Sequence, residues 1–211
     1  IPLVLIPLSL VARLLHKRPL LNSMRRTTPK SDAISPALME PVSHPSLLAY
    51  VQDHSLRARH IILLDPDDQT PEVAASRAVA AVSAGCSMVF VGGSTGTDGN
   101  NVHATVVAVQ EALELCAWNA SQDSGLSEDD WKVPVVLFPA GAHALSPNAD
   151  GITFMMLMNS LDRRFIIGEQ VTGALPLKKA NVTPLSMGYL VCAPGGVVGD
   201  VGNADLFGPD D

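Results

Sequence analysis

A chain of 211 residues holds one large domain or two small ones, and 47% hydrophobic against 17% charged residues supplies a sizeable core and excludes wholesale disorder. The formal charge of −7 argues against a nucleic-acid groove or an anionic membrane surface, and 4% aromatic residues leave no base-stacking platform. Cys86, Cys116 and Cys192 show no C-x-x-C spacing; two of them sit in apolar surroundings, read as core thiols, and suit a reducing compartment.

The sequence begins with Ile1 and reads as a fragment or a processed product. Residues 1–15 are apolar but contain Pro2, Pro7 and Arg13, and fall short of the roughly 20 residues of a membrane span. Arg13, Lys17, Arg18, Arg25 and Arg26 follow with no acid before Asp32, so this leader is either an organellar transit peptide or translated upstream sequence ahead of Met24. The proline-rich stretch up to residue 44 is read as a disordered leader or linker, and the domain spans 45–211.

Within the domain, Leu47, Leu48, Val51 and Leu56 predict a short amphipathic helix. Strand 60–65 is expected to be buried on both faces and is stopped by Pro66. Helix 71–84, with Glu72 in its first turn and Gly85 closing it, leads to strand 87–91 and the glycine loop 92–96. Helix 101–117 presents Val102, Val106, Val109 and Leu113 on one face, and the polar stretch 119–132 reads as an exposed insertion. Strands 133–138, 152–158 and 187–192, with helix 165–175 between the last two, complete five strands that alternate with helices or short connections. That alternation predicts a parallel α/β sheet, either doubly wound or a β/α barrel. The first strand is not followed by G-x-G-x-x-G, which weakens dinucleotide binding. Every loop of interest follows the C-terminal end of a strand, the working rim of a barrel. A complete barrel needs eight strands, and five are counted.

Two loops on that rim carry the candidate chemistry. Asp65 stands where the first strand ends, and Ser94 and Thr95 stand between Gly92, Gly93 and Gly96 where the second ends. Glycines let the backbone approach a ligand closely, and exposed amides in such a loop cradle phosphate oxygens, which marks Gly93 and Thr95 as substrate contacts. Mg²⁺ favours one or two carboxylates, waters and substrate phosphates, so Asp65 with Ser94 suits a metal–diphosphate site. The competing reading makes Asp65 an ordinary Asp-Pro turn residue with Asp67 and Asp68 solvated. His60, His103 and His143 do not cluster in the sequence, which argues against zinc, and no G-x-S-x-G elbow is present. Met155, Met156 and Met158 read as core, or as lining for a long apolar chain.

The strings His60-Ile-Ile-Leu-Leu-Asp-Pro-Asp67, Val91-Gly-Gly-Ser-Thr-Gly96 and Val135-Val-Leu-Phe-Pro139 resemble the geranylgeranylglyceryl phosphate synthase family, with its bacterial heptaprenyl relatives. Met158-Asn-Ser160, Phe165-Ile-Ile-Gly168 with Gln170, and the run from Gly188 to Gly196 follow in the family's order, so the resemblance covers about residues 45–211. It implies a TIM (β/α)8-barrel fold with about five strands in this chain. It also implies a cytoplasmic Mg²⁺-dependent prenyltransferase joining a polyprenyl diphosphate to the 3-hydroxyl of sn-glycerol 1-phosphate, in ether-lipid synthesis. The metal positions map onto Asp65 and Ser94.

The sequence also departs from the family. Asp68 stands where a Lys is common, Ala193 replaces the acid usual before Pro-Gly-Gly, and the Tyr-Leu-Glu-x-Gly-Ser-Gly and Gly-Gly-Gly-Ile-Arg segments are absent. In the family those segments hold the glycerol phosphate and the catalytic Glu, so no catalytic residue is assigned. Two functions are expected from this: a prenyltransferase, or an inactive barrel fragment that binds a phosphorylated ligand or pairs with another chain, including a second copy of itself.

Overall fold

The computed structural model describes residues 46–53, 58–94, 97–123 and 127–208. The expectations for residues 1–45, Leu56, Thr95 and Gly96 lie outside them. Helix α1 (Leu47–Gln52) opens the domain, with the Ser46 hydroxyl accepting from the Ala49 amide at 3.2 Å. Strand β1 (Ile61–Leu64), helix α2 (Pro71–Ser83), strand β2 (Met88–Val91) and helix α3 (Gly99–Gln122) follow. After a 3-10 turn (Glu128–Trp131) come strands β3 (Val135–Leu137) and β4 (Gly151–Leu157), then a π-helical turn (Arg164–Gly168) that runs into helix α4 (Glu169–Ala180). Strand β5 (Thr183–Tyr189) and helix α5 (Gly196–Gly202) complete the order.

The five strands form one parallel sheet in the order β1-β2-β3-β4-β5. A doubly wound sheet reverses direction from its first strand, whereas consecutive neighbours are the order of a barrel wall. Alternation along each strand builds two cores. Leu64, Val89, Val91, Val135, Leu137 and Ile152 face α2 and α3, where Ala74, Ala78, Val102, Val106 and Val109 are buried. On the other face Met88, Val136 and Leu185 pack with Phe90 under Leu47, Tyr50 and Val51 of α1. The Tyr50 hydroxyl donates to the Ser87 carbonyl at 3.1 Å, tying α1 across the N-terminal end of the sheet.

Caps explain where the long helices begin. Thr70 accepts from Val73 ahead of Pro71, and Asp98 and Asn101 exchange the reciprocal bonds of a capping box.

Several expectations are corrected. β1 is not buried on both faces: Ile61 is 46% exposed because β1 is an outer strand of the sheet. Most described residues of the 119–132 stretch are exposed as expected, but it is not a plain insertion, since α3 runs on to Gln122 with Ala120 buried and the partly buried Trp131 packs against the core. β5 starts at Thr183 rather than 187 and takes in Pro184, which an outer strand tolerates. α4 continues through Pro176 to Ala180. Met156 and Met158 are 40% and 58% exposed rather than core. Of the cysteines only Cys86 is fully buried.

Candidate functional site

Because all five strands are parallel, the loops that follow them open at one end of the sheet. Asp65 lies one residue beyond β1. Its Oδ1 accepts the Asp67 amide at 3.0 Å, and its carbonyl accepts the Asp68 amide at 3.2 Å and Gln69 Nε2 at 3.0 Å. The turn role is therefore real, and it also holds the carboxylate in place. Burial pushes the Asp65 carboxyl above its ordinary range; the Asp67 amide works against this, and the charges of Asp68 and Asp67 reinforce it. A half-buried carboxylate that is easier to protonate and repelled by two acids is one that a cation would relieve.

The next loop is shaped by two glycines. At Gly92, φ is +155° and a Cβ would stand 1.9 Å from the Phe138 carbonyl oxygen. A Cβ on Gly93 would stand 2.2 Å from Asp65 Oδ2. Glycine is thus what lets the loops after β1, β2 and β3 close on one another. The structure brings Asp65 and Gly93 into contact. Ser94 follows at the mouth of a recess shared with Thr97, His143, Arg164 and Phe165. Thr95 lies outside the described residues. Among the described residues no group of three His, Cys, Asp or Glu could hold a metal, so a cation here would rest on Asp65, the Ser94 hydroxyl and its own ligands.

Sequence reasoning missed a second set of residues, around Glu169. Its Oε2 accepts the Ala142 amide at 2.5 Å, while Oε1 pairs with Arg164 Nε. Burial alone would raise the Glu169 carboxyl, but the Ala142 amide, the Arg164 bond and charge, and His143 together hold it below its usual range. The Arg164 guanidinium lies 5.1 Å from the centre of the Phe165 ring. The adjacent basic pair Arg163–Arg164, followed by an acid at the start of a helix, was the available signal. Beside Glu169 a small apolar cavity of about 60 Å³ is lined by Leu145, Phe154, Phe165, Gln170 and Tyr189. Burial raises the Tyr189 phenol.

Other residues of the recurring strings are structural. Asn159 donates from Nδ2 to the carbonyls of Val191 (2.8 Å) and Asp205 (2.5 Å), and its Oδ1 accepts the Val191 amide at 3.1 Å. Ser160 donates to the Gly202 carbonyl at 2.6 Å. Both clamp the end of β4 to the segments that follow β5. His103 Nδ1 is 3.0 Å from the Ser146 hydroxyl, a link between α3 and the loop after β3.

The model of the PcrB family matches residues 53–210. The chain belongs to the PcrB family. Among curated relatives, the geranylgeranylglyceryl phosphate synthase of Methanosarcina acetivorans is 41% identical over 148 residues, covering 70% of this chain and 53% of that protein. The enzyme of the same name from Methanothermobacter marburgensis is 40% identical over 147 residues, covering 70% and 52%.

Two solved structures are similar as well. Wild-type GGGPS from Thermoplasma volcanium superposes with a TM-score of 0.59 at 35% identity, covering 71% of this chain and 53% of that one. The (S)-3-O-geranylgeranylglyceryl phosphate synthase of Thermoplasma acidophilum, solved with its substrate sn-glycerol-1-phosphate, gives 0.64 at 31% identity and covers 79% and 60%. The fold of this PcrB-family chain is accordingly of TIM-barrel type, with which its strand order agrees. The chain spans about half the length of the curated relatives it matches.

Proposed function

We propose that this chain carries the metal- and diphosphate-binding half of a Mg²⁺-dependent prenyltransferase. The enzyme would join a polyprenyl diphosphate, such as geranylgeranyl diphosphate, to the 3-hydroxyl of sn-glycerol 1-phosphate. The observation that carries the reading is the Asp65 carboxylate, partly desolvated at the C-terminal rim and standing against Gly93 in the loop that also supplies Ser94. Family membership and the names of the relatives support it. Bound there, Mg²⁺ would neutralise the charge that develops on the departing diphosphate. Asp65 and Ser94 would hold the ion, and Gly93 leaves the carboxylate its place. No helix among the described residues is long and apolar enough to cross a membrane, and three unpaired thiols agree with a cytoplasmic location.

The test is calorimetric titration of the chain with Mg²⁺ and geranylgeranyl diphosphate, wild type against Asp65→Asn. A sharp loss of affinity with an unchanged metal-free melting temperature is expected; equal affinity would sink the metal assignment. The fragment reading, in which a second copy or another chain covers this one, draws on a different observation. Met156 on β4 and Val171 and Leu175 on α4 are 40%, 69% and 59% exposed. Size-exclusion chromatography showing a monomer would count against it.

A further inference from the structure

The loops after β2, β3 and β4 and helix α5 after β5 converge on the recess that Ser94 enters, a cleft of about 240 Å³. That is below the roughly 300–1,000 Å³ of pockets for drug-sized ligands, and suits a small, strongly held group. Among the described residues its polar lining consists of the Ser94 and Thr97 hydroxyls, the His143 imidazole and the Arg164 guanidinium, with no carboxylate.

Two details point to a ligand that is an anion. Thr97 is only 5% exposed, yet its hydroxyl, wholly shielded from solvent, has no hydrogen-bond partner among the described residues. A buried hydroxyl left unpaired is costly, and in this position a bound oxygen would satisfy it. Arg164 is held by one edge. Nε is committed to Glu169 Oε1, and the second Glu169 oxygen is occupied by the Ala142 amide. The two terminal amino groups of Arg164 make no hydrogen bond among the described residues. A guanidinium fixed along one edge with its outer donors unused is prepared for bidentate contact with phosphate oxygens.

We propose that this recess binds a phosphoryl group, with the Arg164 terminal amino groups and the Thr97 hydroxyl as its donors and His143 beside them. On the prenyl-diphosphate reading, on which only the identity of the ligand rests, this group is the outer phosphate of the leaving diphosphate. Thr97 and Arg164 are not among the residues assigned to the metal, so the two assignments can fail separately.

The experiment titrates the full chain with inorganic pyrophosphate, with and without Mg²⁺, and follows thermal melting alongside. Arg164→Met should weaken metal-free binding about tenfold or more, the equivalent of one charged hydrogen bond. Arg164→Lys, which keeps the charge and the Glu169 pairing, should recover part of the loss. Thr97→Val has a signature that a packing role would not give: the ligand-free chain melts at the same temperature or higher, while the stabilisation by pyrophosphate shrinks. If Thr97→Val and Arg164→Met both bind pyrophosphate as wild type does, the proposal is overturned. If only Asp65→Asn loses Mg²⁺-dependent binding, the metal site stands and the phosphoryl recess falls. If Arg164→Met and Thr97→Val lose binding while Asp65→Asn retains it, the recess stands and the metal site falls.

Discussion

Replacing Gly93 with alanine tests the rim without replacing either candidate metal ligand. The new Cβ would lie 2.2 Å from Asp65 Oδ2, 2.4 Å from Oδ1 and 2.5 Å from Cγ. Restoring an ordinary 3.4 Å contact from 2.2 Å requires the carboxylate to retreat by about 1.2 Å. The obstacle is the end of a side chain, so it can swing toward water, giving up the 3.0 Å bond from the Asp67 amide. Losing that bond costs about 1 kcal/mol or less, because the group is partly exposed and regains hydration as it moves.

Gly92→Ala is the control, because there the obstacle is the Phe138 backbone at 1.9 Å and the residue sits at φ +155°. β2 and β3 would have to part, straining the 2.8 Å bond from the Phe138 amide to the Val91 carbonyl. With the backbone strain added, the cost is about 3–5 kcal/mol. Urea denaturation should therefore separate the two variants widely. Calorimetry with Mg²⁺ and pyrophosphate should show Gly93→Ala losing at least about tenfold in affinity, since the displaced carboxylate no longer meets the ion. Wild-type affinity in Gly93→Ala would refute the placement of Asp65 as a ligand. A destabilisation equal to that of Gly92→Ala would refute the claim that the carboxylate can move aside.

Glu169 is held below its usual range, so the stability it contributes is present above the unfolded carboxyl value near 4.5 and is lost as pH falls through the lower folded value. Glu169→Gln should cost about 1 kcal/mol at neutral pH, a modest figure because Arg164 is half exposed, and the gap between variant and wild type should close in acid urea melts. Asp65 runs the other way: with its folded value raised, it weakens the fold as pH rises through that value, so metal-free Asp65→Asn should melt at or slightly above wild type near pH 7. Asn159→Ala removes three hydrogen bonds that join β4 to the segments after β5, and should cost about 2–3 kcal/mol by denaturant titration, with hydrogen exchange rising first around Val191 and Asp205.

Local physics written into the sequence determined much of this protein. Runs such as Ile-Ile-Leu-Leu before Asp65-Pro66 can only be short strands, because an apolar stretch of four closed by proline has no room for a helix turn and its cap. The Thr70-Pro71 and Asp98 caps start their helices, and the glycines at 92 and 93 announce a close approach of backbone. Asp65, Ser94 and the barrel-like plan follow from such features, each of which acts over a few residues.

What the sequence did not decide depends on neighbours distant in the chain. Pro184 reads as a strand breaker until β5 is seen to be an outer strand that can spare one amide. Trp131 reads as part of a polar loop until the end of α3 carries that loop back onto the core. Met156 reads as core until β4 is seen to leave it 40% exposed. Arg164 and Glu169 are five residues apart and become a pair with unused outer donors only because the π-helical turn folds one over the other and Ala142 occupies the remaining oxygen. Thr97 is one hydroxyl among many along the chain. Only the convergence of three rim loops and helix α5 buries it and leaves it without a partner among the described residues, because burial and pairing are properties of the space around a residue rather than of the residue itself.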